Sequence, residues 1–129
     1  MRRTFMLWGA VLAMLAVAIG AFGAHLLEPV IGTDRMAVYE TGVQYHMMHA
    51  LGLMVIALAA GSHGDSRRLL WSGRLLAAGT LLFSGSLYVL AVTDISVLGA
   101  ITPLGGVCFI AGWLCLVFEA ASWKEKDGR

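Results

Sequence analysis

Two histidines stand three positions apart in the run Tyr39-Glu40-Thr41-Gly42-Val43-Gln44-Tyr45-His46-Met47-Met48-His49. At about 100° per residue, a helix places Gly42, Tyr45, His46, His49, Leu53 and Ile56 in one arc. Two imidazoles on one face could share a transition metal, with His25 as a third ligand, or pass a proton, since histidine titrates near neutral pH. The string His46-Met47-Met48-His49 looks copper-like, but the methionines point roughly 100° or more away from the histidines. A bis-histidine haem between His25 and His46 lacks an attachment motif. The reading adopted is that the rings are neutral and hydrogen-bond to Ser84, Tyr88, Tyr45 or carbonyls freed near Pro103, with no cofactor; any metal would fall to His25, His46 and His49. Cys108 and Cys115 are seven apart on one helix face, about 10 Å along its axis, too far to bridge. No GxSxG, P-loop, HExxH or Cys-x-x-Cys pattern occurs. An enzyme has no nucleophile or base to work with here.

These groups must be held by elements of unusual composition. Of 129 residues, 59% are apolar and 13% charged, and the mean hydropathy is +0.80. A soluble chain carries about a quarter charged residues. A net charge of +1 with no basic, aromatic-interleaved stretch gives nucleic acid nothing to bind. Four apolar stretches, 5–27, 38–60, 69–92 and 97–121, are 23 to 25 residues long. At about 1.5 Å per residue each crosses a ~30 Å hydrocarbon layer with some tilt. Their length and lack of period-two alternation exclude barrel strands. The expected fold is an all-α integral membrane four-helix bundle forming one domain over 1–129.

Basic residues set the expected orientation. Arg2, Arg3, Arg67, Arg68, Arg74, Lys124, Lys126 and Arg129 fall on one side and Arg35 alone on the other. The positive side is cytoplasmic by the usual bias, so both termini are read as inside. The first span also sketches a signal peptide, because Arg2-Arg3 precede an apolar run ending in Ala21-Phe22-Gly23-Ala24. Its run is too long, and Phe22 too bulky for the position three before a cut after Ala24, so the span is read as retained.

Lipid is as apolar as leucine, so helix association must rest on close packing and a few hydrogen bonds. Gly9, Ala13, Ala16, Gly20 and Ala24 make a small ridge on the first span. Gly105 with Gly112, and Gly99 with Gly106, are seven-residue pairs on the fourth, and Gly79, Gly85 and Ser86 play that part on the third. Thr102-Pro103, flanked by Gly99 and Gly105-Gly106, predicts a kink or short break. Arg74 and Glu119, at similar depth near the inner boundary, are expected to pair. Polar groups gather toward the opposite boundary: His25, Gln44, Tyr45, His46, His49, Ser84, Ser86, Tyr88, Thr102 and Pro103 predict one polar layer fed by four helices.

The runs Gly20-Ala21-Phe22-Gly23-Ala24-His25, Thr41 to His46 continuing to His49-Ala50-Leu51-Gly52, Ser84-Gly85-Ser86-Leu87-Tyr88, Leu98 to Gly106 and Gly112-Trp113 touch all four spans. In these runs the chain resembles the small membrane proteins of domain of unknown function 423, whose animal members are called transmembrane protein 256. The resemblance implies a four-helix integral protein, placed in the inner membrane in bacteria, and carries no activity or catalytic residues. Two functions follow as expectations. One is a non-enzymatic membrane protein whose polar layer fixes packing, with lipid, a second copy or another membrane protein as its partner. The other is a small transporter or channel component moving protons or a metal ion through the histidines.

Overall fold

A computed structural model describes residues 1–125 of the chain. Lys126 and Arg129 of the basic tail lie outside the described residues. With apolar side chains at almost every turn and no water to satisfy exposed backbone, a helix is the element that pairs its own N–H and C=O groups. Among the described residues four form: α1 Arg2–Ile31, α2 Thr33–His63, α3 Arg67–Thr93 and α4 Ser96–Ala121, each long and apolar enough to cross a membrane. Gly32 (φ 83°) and Gly64 (φ 88°) turn the chain at opposite ends, and both sit in the left-handed region open to glycine. At the start of α3, Ser66 Oγ accepts from the Leu69 amide at 3.1 Å, an N-cap that stops the helix fraying.

α1 packs along α2, α4 packs along α3, and α2 and α3 meet through the middle. The core is Phe5, Leu53, Ile56, Leu69, Leu76 and Phe109. Phe5 carries α1 into that core, seated on Gly73 of α3. Aromatic rings in glycine notches recur: Tyr39 at Gly23, Tyr88 at Gly42, Trp113 at Gly52 and Phe109 at Gly79. Each notch lets a large ring approach a neighbouring backbone, which is how packing replaces the missing hydrophobic drive between helices.

The expected packing glycines divide. Gly105 lies against the Phe83 backbone, Gly112 against Leu76, and Gly20 faces Val43. Gly85 and Gly106, by contrast, face open space, and Gly99 approaches Leu90 only at ordinary contact distance. Gly106 is a helix position away from Gly105, about 100° around α4, which turns it off the α3 contact. The seven-residue spacing of Gly99 and Gly106 therefore marks no close helix contact among the described residues.

The helices are locally irregular where the polar residues cluster. α1 passes through a π-helical turn at Gly23–Leu27 and α3 through one at Thr80–Ser84. α4 opens as a 3-10 turn, Ser96–Ala100, and becomes regular at Thr102–Ala121. Pro103 enters in the first turn of that regular helix, where its missing N–H costs nothing.

Arg74 and Glu119 do not pair, contrary to the sequence expectation. Glu119 is buried and accepts from Ser66 Oγ at 2.8 Å and from Trp123 Nε1 at 3.0 Å. Arg74 is exposed, with its guanidinium 5.3 Å from the centre of the Trp71 ring. Ser72 and Leu76 turn α3 toward α4, Ser72 donating to the Gly112 carbonyl at 2.7 Å, and Arg74 lies on the opposite side of that helix. Equal depth did not mean a shared face.

Candidate functional site

The arc of α2 that carries the histidines is the arc that faces protein. Gly42, His46, His49, Leu53 and Ile56 are buried, while Tyr45 sits at its rim, 36% exposed, its ring centre 4.5 Å from that of Phe83. His49 lies near the midpoint of α2. Its Nδ1 is 2.8 Å from the Tyr45 carbonyl, one turn earlier, and a carbonyl can only accept. Nδ1 therefore holds the proton, and Nε2 is free to accept from Trp113 Nε1 of α4 at 3.0 Å. The ring is also stacked on Phe109, centres 3.6 Å apart. Both nitrogens and one face are committed, and the ring is the neutral tautomer that α2 and α4 jointly define.

His46 is satisfied on one side. Nδ1 is 2.8 Å from the Tyr88 hydroxyl of α3, whereas Nε2 is buried without a hydrogen-bond partner. Tyr88 in turn packs against Tyr39, ring centres 5.2 Å apart, and Tyr39 donates to the Ile19 carbonyl at 2.6 Å beside the π-helical turn of α1. Ser84, predicted as a histidine partner, instead donates to the Gly42 carbonyl at 2.7 Å. Ser86 and Thr102 share a 2.6 Å hydrogen bond that ties α3 to α4 at its first regular turn. The polar groups thus form separate ties at successive depths, with His49 and Trp113 at mid-helix and the others toward the Gly32 end. They are not one converging layer.

His25 and Gln44 stand apart from these ties. His25 is exposed in the π-helical turn of α1, and Gln44 is exposed beside Met48 and Leu51. His25 cannot complete a three-histidine site with His46 and His49, and among the described residues no three His, Cys, Asp or Glu side chains gather as metal ligands. The physical reason is orientation: the α1 ridge turns Gly9 and Ala16 to α2, while the π-helical turn leaves His25 facing outward.

Three contributions were hidden from sequence reasoning. Tyr39 braces α1, and Trp113 supplies the donor to His49. Arg35, counted for orientation alone, reaches across the Gly32 end and donates from Nε to the Ala91 carbonyl at 2.7 Å and from Nη2 to the Val92 carbonyl. It caps the final carbonyls of α3, where a cation complements the helix dipole. A basic residue one turn into a helix is a weak signal that gains meaning only when its neighbour is known.

Four apolar helices joined by short turns and laced by buried hydroxyl, imidazole and indole groups define a small polytopic membrane protein. The family model described as a protein of unknown function, DUF423, matches residues 19–106, and the chain belongs to that family. It is 52% identical over 121 residues to the UPF0382 membrane protein YwdK of Bacillus subtilis, covering 94% of this chain and 98% of that protein. It is 49% identical over 117 residues to the UPF0382 membrane protein SH2409 of Staphylococcus haemolyticus, covering 91% and 94%. No solved structure matches the chain significantly.

Proposed function

We propose that this chain is a non-enzymatic protein of the cytoplasmic membrane whose buried His, Tyr, Trp and Ser ties hold four helices in one register and so present a fixed outer surface to lipid or to a membrane partner. The observation that carries it is His49: a ring bonded through both nitrogens to Tyr45 and Trp113 has no lone pair left for a metal and no site left for a travelling proton. Both termini are assigned to the cytoplasm, on the basic side of the eight-to-one charge split.

The test is elemental analysis and an absorption spectrum of the detergent-purified protein, alongside reporter fusions at both ends. The reading expects no stoichiometric metal or haem, and cytoplasmic reporters at both termini. Stoichiometric zinc, copper or haem that disappears in His46→Ala or His49→Ala would refute the packing role.

One observation favours the alternative of a proton or metal-ion pathway component. His46 Nε2 is buried and unpartnered, an unpaired polar atom inside the bundle. Flux across proteoliposomes that His46→Gln abolishes without loss of folded protein would move the assignment to that class.

A further inference from the structure

Phe5 on Gly73 brings α1 and α3 together near the Gly64 end. Between the two helices lies a groove of about 320 Å³, lined by Leu7, Trp8, Val11, Leu12, Ala77 and Leu81. Leu7, Trp8, Val11 and Leu81 are exposed, so the groove opens to the hydrocarbon. On α3, Arg74 stands one turn from Ala77 and two turns from Leu81 along the same face, toward the Gly64 end. Trp71 supports its guanidinium, and Glu119, which could have neutralised it, is bonded to Ser66 and Trp123. Arg2, Arg3, Arg67 and Arg68 are exposed around the same end. From the groove to its mouth, the surface therefore changes from carbon to cation over a few ångströms of helix axis.

We propose that this groove holds one anionic glycerophospholipid, with an acyl chain between α1 and α3 and its phosphate on Arg74. The apolar lining suits a chain, and a planar guanidinium pairs with phosphate oxygens two at a time. A neighbouring helix could fill the groove with apolar side chains, but that would leave the Arg74 charge at its mouth without a counter-charge. A zwitterionic lipid would fill the groove too, but its own cation beside the phosphate offsets most of the attraction to Arg74.

Native mass spectrometry of the full chain tests this, with phosphatidylglycerol and phosphatidylcholine of identical acyl chains offered in equal amounts. Phosphatidylglycerol is expected to be retained about fivefold more, one molecule per chain, the factor that one surface cation contributes. Arg74→Gln brings the two lipids to parity, whereas Arg67→Gln leaves the preference largely in place. Filling the groove with Val11→Phe, or independently Ala77→Phe, lowers retention of both lipids. Glycerol phosphate, which carries the anion without a chain, does not displace the bound lipid. Equal retention by the unmodified chain, a preference that survives Arg74→Gln, or one that responds only to Arg2 and Arg3 would overturn the assignment. Unchanged retention in both groove-filling variants would overturn the chain-binding half.

Discussion

The indole N–H of Trp113 meets Nε2 of His49 at 3.0 Å across 64 positions of sequence, near the middle of the α2 helix. Because Nδ1 already donates to the Tyr45 carbonyl, this contact reads one tautomer of one rotamer, and α4 can approach α2 in one register.

Trp113→Phe removes the donor and also the distal indole carbons seated at Gly52. Within a membrane such a bond contributes about 1 kcal/mol, so a loss of at least that size is expected in reversible unfolding from detergent or bicelles. His49→Ala also loses the stacking on Phe109 and leaves a cavity, and its cost is expected to be about 2–4 kcal/mol. Equal stability for both variants and the parent would show the contact to be idle.

The separation of Arg74 from Glu119 has a measurable sign. A double-mutant cycle of Arg74→Gln with Glu119→Gln should give coupling within about 0.3–0.5 kcal/mol of zero, as for residues that share no partner. Glu119→Gln with Trp123→Phe should couple by about 1 kcal/mol, since the carboxylate accepts directly from that indole. The reverse ranking would restore the ion pair.

Glycine substitutions sort the expected packing positions. Gly105→Ala drives a methyl into the Phe83 backbone, and Gly79→Ala drives one into Phe109; each is expected to cost about 1–3 kcal/mol. Gly85→Ala and Gly106→Ala meet open space and should be neutral, or stabilising by up to about 1 kcal/mol through helix propensity. Thermal denaturation of the four single variants gives the ranking, and a severe Gly106→Ala defect would mean that this face is covered.

Removing the Arg35 side chain with Arg35→Gln should loosen the end of α3 without unfolding the bundle. Hydrogen exchange is expected to speed up at the Leu90 to Thr93 amides while Leu69 to Leu76 stay protected, because capping acts within the last turn. Uniform exchange along α3 would remove Arg35 from the cap.

Tyr88→Phe strips His46 of its one hydrogen bond and leaves both ring nitrogens buried without a partner. The expected loss is about 1–3 kcal/mol, read as a lower unfolding midpoint, and His46→Phe in the same background should recover part of it by removing the polar ring. No recovery would mean that the pair serves something other than stability.

The four spans and the buried arc of α2 were legible in the sequence because run length and helical period depend only on the chain itself. Gly42, His46, His49, Leu53 and Ile56 had to share a face, and Pro103 had to stand at a helix start or break one, whatever surrounded them. Partnership was not legible. Away from that polar arc, the lipid-facing and protein-facing sides of a membrane helix are equally apolar, so composition gives no sign of which face meets which neighbour. That matching of faces decided that Gly105 is a contact and Gly106 is not, that Glu119 meets Trp123 and not Arg74, and that His25 looks away from the histidines of α2. It also decided which donor reaches His49. Trp113 and His49 each have a fixed place on their own helix, and only the packing of both α2 and α4 against α3 brings an indole N–H to a ring nitrogen that no local rule connects to it.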